Sequence, residues 1–258
     1  MESNSLRFGR IINMNDIHEN DKIVFVDTSN SSIDKFPSDV LYDELHKYRQ
    51  ISLTIDGNGN DKKGFDLHQM WGLYADKRNG VCLVFDKKEL AKNLNIFNVY
   101  HREVCYNDTE QLDSFIISNS KDSKEVVTEI GNHISDIFFH KRLEWEHEQE
   151  YRLLKRYPII DKEEYLYLGF ALKFVILSSK LREMDEVAYF SRIKEVKEMV
   201  EKIEKLRKSK EKGHIPILIY GNGLFDYTLG TEDSSEEIWN SKHGYKLLIP
   251  ERNCKLLL

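Results

Sequence analysis

Val127, Ile130, Ile134 and Ile137 recur at intervals of three and four, the spacing that lines up side chains on one helix face. Continued, the same stripe meets Lys141, Trp145 and Glu148 in place of further aliphatics. The pattern predicts an amphipathic helix over 123–147 whose inward face turns charged before it ends. Beyond it, Glu150 and Arg152 alternate with Tyr151 and Leu153, the period of a strand, here over 150–157. A cation, an indole and two carboxylates are thereby aimed at the interior, where unpaired charge is costly.

Elsewhere the pattern predicts short strands at 5–9 and 22–27 on either side of the loop INMNDIHEND, a helix at 38–47 and a strand at 48–55. A polar loop at 56–64 leads into a helix at 66–76, with Leu67, Met70, Trp71 and Tyr74 on one side and Asn79-Gly80 as its stop. VCLVFD (81–86) reads as a buried strand. A helix at 87–94, a strand at 96–106 and strands at 169–177, 215–220 and 245–250 follow. Residues 182–212 are heavily charged, with Tyr189, Ile193, Val196, Val200 and Ile203 in three–four spacing. They predict a long, mostly exposed helix or helical hairpin that packs one edge on the body. No regular βαβ repeat is visible. The expected class is α+β, with a curved or split, mostly antiparallel sheet flanked by helices. With only 4 Pro and no linker or repeat, one domain over 1–258 is expected, carrying 182–212 as a charged helical insertion.

Composition narrows the function classes. The 258 residues are 40% hydrophobic and 32% charged, with a formal net charge of −6, which argues against a dedicated nucleic-acid binder. No apolar run approaches a membrane span, and the N-terminus lacks the apolar core of a signal peptide. Cys82, Cys105 and Cys254 form no CxxC pair, so neither a disulfide framework nor a structural metal is expected and the cytoplasm is the default location. His133, His140 and His147 are seven apart on the predicted helix. Neighbours would lie roughly 10 Å from one another, too far to share a metal. The GNG strings at 57–59 and 221–223 do not continue as phosphate loops.

The charged stripe is the first candidate site. If the strand begins near Glu148, then Glu148, Glu150 and Arg152 share a face. Two carboxylates beside a cation can divide labour, one staying ionised while the other has a raised pKa. Such a pair can stabilise a cationic sugar-like transition state, hold a divalent cation or act as general base. A buried ion-pair cluster at a helix–strand junction is the alternative. Asn15, Asp16 and Glu19, in the loop after Arg10, read locally as a capped turn. Trp71 and Tyr74 are either core packing or an aromatic wall for a planar base.

Three blocks, MNDIHE (14–19), MWGLYADKRNGVCLVFD (70–86) and KRLEWEHEQEYR (141–152), together resemble a bacterial family catalogued as domain of unknown function 2971. The resemblance spans about residues 6–220. Leu73 stands where that family usually has His, and Ile-His where it has Pro-aromatic. The resemblance groups Asn15, Asp16, Glu19, Trp71, Tyr74, Lys141, Trp145, Glu148, Glu150 and Arg152 as one set, and it supplies no reaction. A remoter analogy of fold is to ADP-ribosyltransferases. On that analogy Glu148 or Glu150 is catalytic, and Arg10, Asn15, Asp16, Trp71, Tyr74, Lys141 and Arg152 bind NAD as substrate. Two other readings stand beside it. One is a metal-dependent nuclease or phosphodiesterase using Asp16, Glu19, Glu148 and Glu150 on Mg²⁺. The other is a non-enzymatic sensor or partner-binding module in a defence or stress locus, meeting an unknown protein or nucleic-acid target through 182–212.

Overall fold

The computed structural model describes residues 4–11, 23–25, 43–56, 63–107, 114–116, 123–159, 162–207, 215–221, 224–229, 236–240 and 245–249. They cluster into two compact units, each assembled from stretches distant in sequence. One comprises Arg7–Ile55 and Asn98–Tyr165; the other comprises Met1–Leu6, Asp56–Phe97 and Leu166–Leu258. Helices and mostly antiparallel strands intermix in both, so the protein is α+β.

In the Arg7–Ile55/Asn98–Tyr165 unit, four antiparallel strands run in the order Gly9–Arg10, Tyr48–Thr54, Glu150–Arg156, Tyr100–Glu103. Glu150–Arg156 is hydrogen-bonded on both sides, and its Leu154 packs with Tyr48, Ile130, Ile134, Ile137, Phe138 and Phe139. Ile130, Ile134 and Ile137 of the predicted helical stripe are therefore buried as their spacing requires, with Val127 half-buried. The single helix over 123–147 is not formed. The chain is helical over Ser123–Asn132 and Ile134–Phe138 and then extended at His140–Lys141; a 3-10 helix follows at Leu143–Glu148. A tertiary pairing overrides the helical period: Cys105 N donates to the Phe139 carbonyl at 2.8 Å, and Cys105–Tyr106 runs parallel to His140–Lys141.

The other unit has a sheet in the order Leu224–Leu229, Ile217–Gly221, Leu172–Ser178, Val81–Phe85. Its two central strands, Leu172–Ser178 and Ile217–Gly221, are parallel. Parallel neighbours need a crossover, and the Glu186–Leu206 helix supplies it. The charged stretch expected as a mostly exposed insertion is thus part of the sheet's own connection, one unbroken helix rather than a hairpin. Its Ile193, Val196, Val200 and Ile203 are buried on Val175, Leu177, Ile217 and Ile219. The alternate residues Phe174, Ile176, Leu218 and Tyr220 point to the opposite face and pack with Trp71. Val81–Phe85 is only half-buried, being an edge strand with one neighbour among the described residues. The strand expected over 96–106 is shortened to Tyr100–Glu103 and Cys105–Tyr106, since the preceding helix runs Lys87–Ile96. Among the described residues no helix is long and apolar enough to cross a membrane.

The crossover helix starts at Asp185, whose carboxylate accepts from Ala188 N at 2.9 Å. Removing an N-cap acceptor costs about 1 kcal/mol. Asp185→Ala should lower the unfolding free energy by that amount, read as a lower denaturant midpoint with an unchanged slope; an unaltered midpoint would mean the cap does not hold this helix.

Candidate functional site

The strand that begins at Glu150 sets the geometry of the candidate site. Glu150 and Arg152 share a face, two residues apart. Arg152 grips both oxygens of its neighbour, Nε to Oε1 at 2.7 Å and Nη2 to Oε2 at 2.8 Å, while Nη1 donates to the Phe138 carbonyl. Lys141 arrives from the short His140–Lys141 strand. Its Nζ lies 2.6 Å from Glu148 Oε2 and 3.0 Å from Glu150 Oε2. All four side chains are buried, Arg152 to 1% exposure. Two cations and two carboxylates cancel, so the quartet is formally neutral.

Glu148 does not reach this cluster along a continuous strand. It ends the Leu143–Glu148 turn, and Gln149 then reverses the chain in a left-handed conformation (φ 45°) before the strand begins. Trp145, on the same turn, sits with its ring 5.3 Å from Lys141 Nζ, a cation–π contact. Around the quartet, Asn107 Oδ1, His140 Nδ1, Trp145 Nε1 and Gln149 Oε1 are buried with no hydrogen-bond partner among the described residues.

Burial pushes the Glu150 carboxyl up. The Arg152 charge and hydrogen bonds, with help from Lys141 and the Ser52 hydroxyl, outweigh it and hold the group at about 2. Glu150 is therefore a fixed anion at neutral pH, not a proton shuttle. Tyr106 completes the cluster: its hydroxyl accepts from Glu150 N at 2.8 Å, and burial, outweighing that hydrogen bond, pushes the phenol up to about 12. Tyr106 and Ser52 are residues that sequence reasoning missed. Each reaches Glu150 through a long-range strand pairing for which no local signal exists.

The remaining predicted site residues are placed as follows. Asn15, Asp16 and Glu19 lie outside the described residues. Arg10 pairs with Arg49, which pairs with Lys155. That puts Arg10 level with Lys155, roughly 17 Å along the strand direction from Glu150, so it does not join the quartet. Trp71 and Tyr74 belong to the other unit. Trp71 is buried in that unit's core and donates Nε1 to the Phe65 carbonyl at 2.7 Å, whereas Tyr74 is 48% exposed. The two rings do not form one aromatic wall. A further buried carboxylate, Glu44, was not anticipated. Burial raises it, but Arg156 and Lys47 more than compensate and hold it below the usual range. Among the described residues no three His, Cys, Asp or Glu side chains cluster as metal ligands do.

Residues 70–153 match the sequence model of a family described as "Protein of unknown function (DUF2971)". That stretch holds both the MWGLYADKRNGVCLVFD and KRLEWEHEQEYR blocks, and it bears out the resemblance to this family. No curated protein and no solved structure matches the chain.

Neutralising one member of the quartet leaves the others buried without compensation. Glu150→Gln should cost about 3–5 kcal/mol of stability, read as a shift in denaturant midpoint; a change under about 1 kcal/mol would show that the quartet is not a buried closed network. The pH dependence has a definite sign. Glu150 is depressed from 4.5 to about 2, so its contribution of about 3 kcal/mol is full above the unfolded value and is lost as pH falls from about 4.5 towards 2. In Glu150→Gln that portion of the acid destabilisation should be missing.

Proposed function

We propose that this protein acts by binding, as a sensor or partner-recognition module, and that the Lys141–Glu148–Glu150–Arg152 quartet is its internal strut. One observation carries the reading: Glu150 is buried, held by Arg152 on both oxygens and by Lys141, and kept ionised down to a pKa of about 2. A general acid or base needs a pKa near the working pH and a reachable lone pair. This carboxylate has neither. Lys141 and Arg152 are likewise committed to carboxylates, which favours cohesion over phosphate capture.

A binding role also draws support from the start of the crossover helix. Val187 is 80% exposed and Phe190 59%, and Phe190 lines a cleft with Met184, Glu186 and Tyr189. Val187 and Phe190 are one helical turn apart, with Met184 and Tyr189 beside Phe190 in the cleft, and a contiguous apolar patch of this kind suits a contact surface.

NAD cleavage of the ADP-ribosyltransferase kind is the second reading. It is favoured by an ionised carboxylate at the start of a central strand, the charge state that would steady an oxocarbenium-like sugar. The two readings separate in one assay. Folded protein incubated with NAD should release nicotinamide no faster than buffer; release that requires Glu150 would establish the cleaving reading instead. The contact surface has its own test. Val187→Lys with Phe190→Glu should leave the melting temperature unchanged and abolish co-purification of whatever partner the wild type retains from its own cells. Retention of that partner by the double variant would remove this surface from the proposal.

A further inference from the structure

A second concentration of charge lies in the unit of Met1–Leu6, Asp56–Phe97 and Leu166–Leu258, and it is arranged in the opposite way. Asp76, Lys77 and Arg78 all have positive φ, at 44°, 52° and 77°. None is glycine, and left-handed backbone is unfavourable for every such residue. The turn is nevertheless fastened at several points. Gly80 N donates to the Ala75 carbonyl at 2.8 Å and Asn79 N to the Asp76 carbonyl at 3.0 Å. Lys180 Nζ donates to the Lys77 carbonyl at 3.1 Å, and Arg192 Nη2 to the Asn79 carbonyl at 3.2 Å. Gly80 is required for this closure, because a Cβ there would lie 2.9 Å from Ala75 Cα.

The strained turn brings Lys77 and Arg78 to the wall of a cleft of about 390 Å³, completed by Gly72, Lys180 and Glu183. Three basic residues and one acidic residue thus line the cleft, in a chain whose formal net charge is −6. Among the described residues no carboxylate forms an ion pair with Lys77, Arg78 or Lys180, unlike the quartet, where every charge is cancelled. Gly72 points the same way. It lies within the His68–Tyr74 helix, where glycine is disfavoured. A Cβ built on it would meet nothing within 4 Å, so no packing contact demands glycine there. Its missing side chain leaves the cleft open.

We propose that this cleft binds the phosphate or pyrophosphate group of a small phosphorylated ligand. Arg78 supplies the planar, forked contact, and Lys77 and Lys180 act as point charges. The volume is in the range of small-molecule sites. A strained backbone turn held by the surrounding hydrogen bonds anchors both basic residues at the cleft, a preorganisation of the kind found at ligand clamps. The cleft would do this whether or not Glu150 has a chemical role, and neither nicotinamide release nor the quartet's stability bears on it.

Calorimetric titration of the full chain with inorganic pyrophosphate and, separately, ADP tests the proposal. Both probes should bind at low salt and weaken as sodium chloride is raised. Arg78→Gln should reduce affinity by about ten-fold or more. Gly72→Leu should abolish binding by filling the cleft, with a melting temperature equal to or above that of the wild type. That combination separates blockage from unfolding. ADP binding tighter than pyrophosphate would support the proposal and add recognition of the nucleoside; equal affinities would support it with the diphosphate alone as the recognised group. No binding of either probe to the folded wild type, or binding that survives both Arg78→Gln and Gly72→Leu, would overturn it.

Discussion

A guanidinium cannot shed its proton to escape an apolar environment, and Arg152 is among the most buried side chains of the molecule. Much of its unit is organised around that constraint. Glu150, two residues back on the same strand face, takes two of its donors and the Phe138 carbonyl takes a third. These bonds fasten the central strand to the end of the Ile134–Phe138 helix. The negative charge so introduced holds Lys141, Lys141 holds Glu148, and Tyr106 receives the Glu150 amide. The left-handed turn at Gln149 lets two carboxylates converge on one lysine although a 3-10 helix and a strand meet between them. Removing the guanidinium's partner would therefore loosen the helix end, the short parallel pair and the central strand together.

What the sequence disclosed about this cluster follows from which interactions are local. The alternation of Glu150, Tyr151, Arg152 and Leu153 fixes a strand face without reference to any other segment, and the structure keeps it. The aliphatic stripe from Ile130 to Ile137 is equally local, and it is buried as its spacing demands. The same stripe misleads beyond Phe138. There the competing force is a backbone pairing with Cys105–Tyr106, whose partner is more than thirty residues away and leaves no mark on the helical period. Lys141, Trp145 and Glu148 were legible as a group, yet they are held by an extended pair and a 3-10 turn rather than by a helix. Tyr106 and Ser52 were not legible at all, because only strand register brings them to Glu150.

The charged segment after Ser178 shows the converse case. Its apolar spacing correctly placed one edge on the body, but its abundance of charge suggested an insertion. The parallel pairing of Leu172–Ser178 with Ile217–Gly221 gives it a necessary place instead, since such a pair cannot be joined without a crossover. Charge on the outer face of that helix is the ordinary consequence of burying only one stripe. The two units thus treat charge differently: in one, cations and carboxylates are buried and mutually cancelled; in the other, cations gather at a cleft with one carboxylate among them. The first arrangement favours cohesion, the second favours an anionic visitor.

The protonation of Glu150 decides between a strut and a reacting group more directly than any activity assay. Carboxyl-carbon NMR titration of the folded protein, with Glu150→Gln used to assign the signal, measures it in place. A resonance that stays in its ionised position until pH approaches about 2, or until the protein unfolds, is the expected result. A Glu150 resonance that titrates at or above 4.5 while the fold persists would show that Arg152 and Lys141 do not hold this carboxylate, and the closed quartet would have to be abandoned.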